Sequence, residues 1–85
     1  MNEALKTLTS LLNEYPTYYP IYTELQKTHQ LAGDVRPAIG AYEKYVVFNP
    51  YSVDCWTRLM SLYKTTGNLK KSYLAFRRIK KLTGV

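Results

Sequence analysis

The chain has 85 residues, of which 46 % are apolar and 21 % are charged. This composition excludes an intrinsically disordered chain, the length excludes more than one small domain, and no apolar run approaches the roughly 18 residues that cross a bilayer. The net charge of +6 is uneven: residues 1–50 hold four basic and five acidic side chains, whereas residues 51–85 hold eight basic side chains and one acid. We therefore expect a soluble, cytoplasmic protein with a basic C-terminal end.

Apolar residues at helical spacing predict five helices and an all-α fold. In chain order the apolar stripes are Leu5, Leu8, Leu11, Leu12 and Tyr15; Tyr22, Leu25 and His29; Ala38, Ile39, Tyr42, Tyr45 and Val46; Trp56, Leu59, Met60 and Tyr63; and Leu69, Tyr73, Phe76 and Ile79. No segment shows the period-2 alternation of a strand.

Turn and capping residues mark the ends of these helices. Gly33 and Gly67 follow the second and fourth helices, where glycine readily adopts the left-handed conformation. Three side chains that can cap a helix N-terminus stand between helices: Asp34, Ser52 and Asn68. We expect Pro37 in a first helical turn, where its missing N–H costs little.

A period of 34 residues relates the helices. Under this shift, residues with the same physical role coincide: Tyr22 with Trp56, Leu25 with Leu59, Gly33 with Gly67, Ala38 with Ser72, Tyr42 with Phe76, and Pro16 with Pro50. The period divides a single domain into residues 1–18, the second half of a repeat, and two full repeats over 19–52 and 53–85.

These positions resemble the signature of the tetratricopeptide repeat (TPR) family and the related half-a-TPR repeats. Residues 49–85 also resemble the end of bacterial transcriptional activator domains. The TPR resemblance implies an α-solenoid of about two and a half helix-turn-helix repeats with five antiparallel helices. It also implies a scaffold or adaptor that binds protein in a concave groove.

Residues capable of catalysis or metal binding are few. Cys55 and His29 are the only thiol and imidazole, and both fall at packing positions of different helices. One cysteine and one histidine cannot complete a zinc site, and no glycine-rich loop could hold a phosphate. We expect no enzyme activity, no metal and no cofactor.

The TPR resemblance places a partner-binding groove along the first helix of each repeat. Its members in this sequence are Thr23, Lys27, Gln30, Thr57, Arg58, Ser61 and Lys64. Three cations among polar side chains favour a protein or peptide partner with acidic groups, with Arg58 making a bidentate contact to a carboxylate.

The last predicted helix offers a second candidate surface. Five basic residues share one arc of it: Lys70, Lys71, Arg77, Arg78 and Lys81. This basic face could bind nucleic acid phosphates, as in a transcription or RNA-processing regulator, or it could bind an acidic protein or an anionic membrane. Alternatively, it could only solubilise the end of the stack. At the other end, a first helix without a preceding partner leaves Leu5, Leu8 and Leu12 half covered, which favours a homo-oligomer or a larger repeat array.

Overall fold

The computed structural model describes residues 2–84, and these form five α-helices with no strand among them. The helices are α1 (Asn2–Glu14), α2 (Tyr19–Leu31), α3 (Arg36–Phe48), α4 (Val53–Thr65) and α5 (Leu69–Thr83). The all-α prediction is therefore confirmed. Each helix packs against its neighbours in the chain, and within residues 2–84 no other pair of helices packs backbone to backbone.

The helix ends follow the predicted local chemistry. Gly33 and Gly67 have positive φ angles of 86° and 84°. The Ser52 hydroxyl accepts from the backbone N–H of Cys55 at the start of α4, and the Asn68 side chain caps α5 in the same way. Asp34 acts one residue before the N-cap of α3, where its carboxylate accepts from the Arg36 N–H. Pro37 lies in the first turn of α3.

Hydrogen bonds repeat with the 34-residue period. The Tyr22 hydroxyl donates to the Pro16 carbonyl at 2.6 Å, and the Trp56 indole N–H donates to the Pro50 carbonyl at 2.8 Å. After α2 the Gly33 N–H bonds to a carbonyl three residues earlier, and the Gly67 N–H does so after α4. The period is therefore structural, since equivalent residues make equivalent contacts.

The core is thin, because the described chain extends only 41 × 26 × 14 Å along its principal axes. Its centre lies between α3 and α4, where Tyr42 and Leu59 are completely buried. The Tyr45 ring packs against the rings of Tyr19 and Tyr22, with centroids 4.8 and 4.9 Å away. These contacts anchor α2 to α3.

Two predicted stripes differ from the structure. Leu11 on α1 and Tyr15 just after it are exposed. The positions of α1 that were expected to be half covered are half-buried: Leu5, Leu8 and Leu12. On α5, the residues turned inward are Ser72, Ala75, Ile79 and Leu82, whereas Leu69, Tyr73 and Phe76 are exposed. At 100° per residue, the packed face of α5 is rotated by about a quarter of a turn from its predicted position.

The rotation of α5 has a steric cause. Ser72 and Ala75 are small, so α5 approaches α4 closely along this line, and the Ser72 hydroxyl donates to the Met60 carbonyl of α4 at 3.0 Å. A close approach satisfies that hydroxyl and leaves no room between the helices for rings. The large side chains Tyr73 and Phe76 therefore remain on the outside.

Candidate functional site

A hydrogen-bond network joins α2, α3 and α4 on one side of the core. Tyr19 donates to the Asp54 carboxylate at 2.6 Å, and the Arg58 Nε donates to the same oxygen at 3.0 Å. The Arg58 Nη1 donates to the Gln26 side-chain oxygen at 3.3 Å, which also accepts from the Tyr42 hydroxyl at 2.6 Å. The Tyr19–Asp54 and Arg58–Gln26 bonds fix the relative position of α2 and α4.

The electrostatics of this network keep its donors and acceptors fixed. Burial, and then the bond to Asp54, raises the pKa of Tyr19 far above its ordinary value. The hydrogen bond from Tyr19, followed by that from Arg58, lowers the pKa of Asp54. Burial raises the pKa of Tyr42 to about 12. At neutral pH both phenols donate, and Asp54 accepts as a carboxylate.

The predicted groove residues lie beside this network. Thr23 is one turn beyond Tyr19 on α2, and Ser61 is one turn beyond Arg58 on α4, so they continue the faces that the network joins. Thr23 and Arg58 are half-buried, and the other members are exposed: Lys27, Gln30, Thr57, Ser61 and Lys64. The predicted groove residues thus lie on α2 and α4, the two helices that the network connects.

The cations of the groove differ in what they contact. Arg58 is bound to Asp54, as described above, and Lys27 pairs with the neighbouring Glu24 at 3.3 Å. Lys64 makes no ion pair with any residue in the described part of the chain. Two of the three predicted cations therefore already have a carboxylate partner.

The five basic residues predicted on α5 divide into two groups. Lys71 pairs with Glu43 at 3.5 Å, and the Arg78 guanidinium lies over the Trp56 ring, 5.3 Å from its centroid. These two cations make contacts within the fold. The remaining three form the outward arc, opposite the packed side of the helix: Lys70, Arg77 and Lys81.

The thiol and the imidazole lie in different surroundings. Cys55 is completely buried, and its thiol donates to the Tyr42 carbonyl at 3.6 Å. Burial raises the pKa of Cys55 to about 12, so the reactive thiolate is suppressed. His29 is half-buried in α2. Among the described residues, no cluster of three His, Cys, Asp or Glu side chains could hold a metal ion.

Four members of the network were not among the predicted site residues: Tyr19, Gln26, Tyr42 and Asp54. The sequence did carry a signal for two of them. Gln26 is a polar residue at a helix-packing position, which indicates a buried hydrogen-bond partner. Asp54 stands four residues before Arg58, the spacing of an ion pair along a helix. Nothing in the sequence connects Tyr19 with Asp54, because the two residues belong to helices that are far apart along the chain.

Helices α1 to α5 are all too short or too polar to cross a lipid bilayer, as judged over residues 2–84. Comparisons of the chain with protein-family models, with curated proteins and with solved structures find no match, so the TPR resemblance remains a prediction from the residues that carry it.

Proposed function

We propose that this chain is a protein-interaction module without enzymatic activity, built as a TPR-like stack, whose groove between α2 and α4 binds an acidic segment of a partner. One observation carries the proposal. The Tyr19–Asp54 and Arg58–Gln26 hydrogen bonds hold α2 and α4 in register, with exposed polar side chains on both helices beside them. A surface fixed in this way loses little conformational entropy when a partner binds.

The repeat geometry supports the stack. Tyr22 and Trp56 make equivalent hydrogen bonds one period apart, and successive helices pack in chain order. An array of this kind, with antiparallel neighbours, exposes the first helix of each repeat along one concave side. In this chain those helices are α2 and α4.

The charges of the groove support an acidic partner. Lys64 has no carboxylate partner among the described residues, and both side chains of the Lys27–Glu24 pair are exposed. Exposed pairs contribute at most about 1 kcal/mol, so a partner carboxylate can replace Glu24 at little cost. No described residue accepts a hydrogen bond from the Arg58 Nη2, so Arg58 can contact a ligand while it holds the network.

Selection of peptides from a random display library tests the groove. Bound peptides should be enriched in Asp and Glu. Replacing both Lys27 and Lys64 by Ala should weaken an enriched peptide about tenfold, as measured by fluorescence anisotropy, since each lost contact is worth up to about 1 kcal/mol.

The matched control removes the same charge from α5, as Lys70→Ala with Lys81→Ala, and circular dichroism checks that both proteins fold. The control should leave peptide affinity nearly unchanged. An equal loss in both proteins would mean that overall charge, and not the groove, attracts the peptide.

A second candidate function, nucleic acid binding, has one observation in its favour. Lys70, Arg77 and Lys81 form an exposed cationic arc on a helix that contains no acid. Contacts to phosphates release condensed counterions, so the logarithm of duplex affinity should fall against the logarithm of salt with a slope of about 0.9 per contact.

The structure changes the expected slope. Five contacts would give about 4.5, but Lys71 and Arg78 are engaged within the fold, and three contacts give about 2.7. Titrating a fluorescent duplex from about 50 to 200 mM salt measures this, with Arg77→Glu as the variant. No binding at the lowest salt would leave the arc as a solvated surface.

A further inference from the structure

One side of α5, between its packed side and its cationic arc, is an exposed apolar surface next to α4. Leu69, Tyr73 and Phe76 are 65 %, 58 % and 43 % exposed, and the rings of Tyr73 and Phe76 lie against each other with centroids 6.4 Å apart. Together with Met60 and Lys64 of α4 they line a cleft of about 380 Å³. We call these three α5 residues the α5 face.

The 34-residue period shows what covers the equivalent surface one repeat earlier. Tyr73 corresponds to Ile39 and Phe76 to Tyr42, and these two residues of α3 are only 9 % and 0 % exposed. Helix α4 packs against α3 there, with the Cys55 thiol 3.6 Å from the Tyr42 carbonyl. On α5 no helix of the described chain takes the place that α4 takes on α3.

The chemistry of α4 indicates what would fit the α5 face. Toward the core α4 presents Cys55, Leu59 and Leu62, a small residue followed by leucines four and seven positions later, all buried. This spacing forms one apolar stripe on a helix. A complementary partner would present a similar stripe of small and aliphatic residues to Tyr73 and Phe76.

The charges around the cleft select among partner helices. Helix α5 carries six cations and no acid. Lys64 lines the cleft, and the Lys80 ammonium lies 5.7 Å from the centroid of the Phe76 ring. Acidic residues beside the partner's stripe would pair with these cations. A second copy of this chain fits poorly, because two α5 helices face to face would oppose their like charges.

We propose that the α5 face binds an amphipathic helix of a partner protein, apolar on one side and acidic along its borders. This binding surface adjoins the proposed groove and shares Ser61 and Lys64 with it. Phe76 and Tyr73 are not groove residues, and Lys27 is not part of the cleft, so variants at these positions separate the two proposals.

Selection from a display library of amphipathic helices tests the proposal. The library fixes a stripe of Ala, Leu and Leu at the spacing found in α4 and randomises the bordering positions. The wild-type protein should enrich helices with Asp and Glu at the borders. An enriched helix resynthesised with Lys at those positions should lose binding by about tenfold or more in fluorescence anisotropy.

Two variants of α5 form a matched pair. Phe76→Ala should weaken the enriched helix about tenfold or more, as loss of a central aromatic contact does. Leu74→Ala removes a side chain of the same helix that is 57 % exposed but lies outside this cleft, and it should change affinity less than about twofold. Circular dichroism of both variants verifies the fold.

Several outcomes would overturn the proposal. One is the absence of any enrichment over the Phe76→Ala protein, and another is an equal effect of the two substitutions. Equal affinity for the acidic and lysine-bordered helices would overturn the acidic partner. A dimer in sedimentation that Phe76→Ala abolishes would assign the face to a second copy instead.

Discussion

Replacing Leu59 and Leu69 separately by Ala tests how α5 packs, because the chemical change is the same at both sites. Both leucines lie on apolar stripes in the sequence, yet Leu59 is completely buried and Leu69 is 65 % exposed. The structure therefore predicts a large loss of stability for one variant and a small loss for the other.

The two losses can be estimated from burial. Leu→Ala in a packed core costs about 3 to 5 kcal/mol, including the cavity that remains. Burying a whole leucine side chain contributes about 1.5 to 3 kcal/mol, so Leu69, with about a third of its surface covered, should lose less than about 1 kcal/mol. A chain of this size has a total stability of about 4 to 13 kcal/mol. Leu59→Ala should therefore remove a large share of the total.

Urea denaturation followed by circular dichroism measures both variants. With an m-value near 1 kcal/mol/M, Leu59→Ala should lower the midpoint by about 3 M or unfold the protein outright, and Leu69→Ala should lower it by less than about 1 M. A loss above about 2 kcal/mol for Leu69→Ala would place Leu69 in the core. That result would refute the observed orientation of α5 and restore the face expected from the apolar stripe.

Two further predictions concern a turn and an ionised side chain. Gly67→Val should cost about 1 to 2 kcal/mol in the same urea assay, because Gly67 has φ +84° and an added Cβ would meet no atom within 4 Å beyond its chain neighbours, so backbone strain is the main cost. Gly40→Ala, in the interior of α3 where an added Cβ also meets nothing within 4 Å, should instead stabilise by about 0.5 to 1 kcal/mol. The hydrogen bonds from Tyr19 and Arg58 lower the pKa of Asp54 in the folded protein, so the carboxylate contributes stability above pH about 4, and this contribution is lost as the pH falls further. Asp54→Asn should therefore flatten the decline of the urea midpoint between about pH 4 and 2. An unchanged decline would contradict this role of Asp54.

The helices and their ends could be predicted because the signals are local. Gly33 and Gly67 adopt positive φ angles, and Ser52 and Asn68 cap the helices that follow them. Each of these effects depends on one residue and its immediate neighbours. The repeat was also visible, since residues 34 positions apart have similar side chains and make the same hydrogen bonds.

The orientation of α5 could not be predicted from its apolar stripe. A stripe shows which residues are apolar, but it does not show whether this chain supplies the surface that covers them. On α5, Ser72 and Ala75 make the close contact with α4, because their small side chains let the two helices approach each other. The apolar pattern predicts a core position for the larger residues, because size and hydropathy dominate that pattern.

The contacts of the candidate groove residues were only partly predictable for a related reason. The sequence identifies Arg58 as a cation on an exposed face, but its hydrogen bond to Gln26 joins residues far apart in the chain. Lys71 and Arg78 on α5 likewise form contacts with Glu43 and Trp56 that only the packing of helices creates. Charge count therefore overstates the number of cations available to a ligand.

Helix α5 has three distinct sides, so a role in solvation alone does not explain how its side chains are distributed. An ordinary amphipathic surface helix has a packed apolar side and a polar side. Here Ser72 and Ala75 form the packed side, and the outward arc of lysine and arginine gives the polar side. The α5 face is a third, apolar side between them, although a purely solubilising end helix would carry polar residues there. A surplus apolar side flanked by cations is the feature that a bound acidic helix would use.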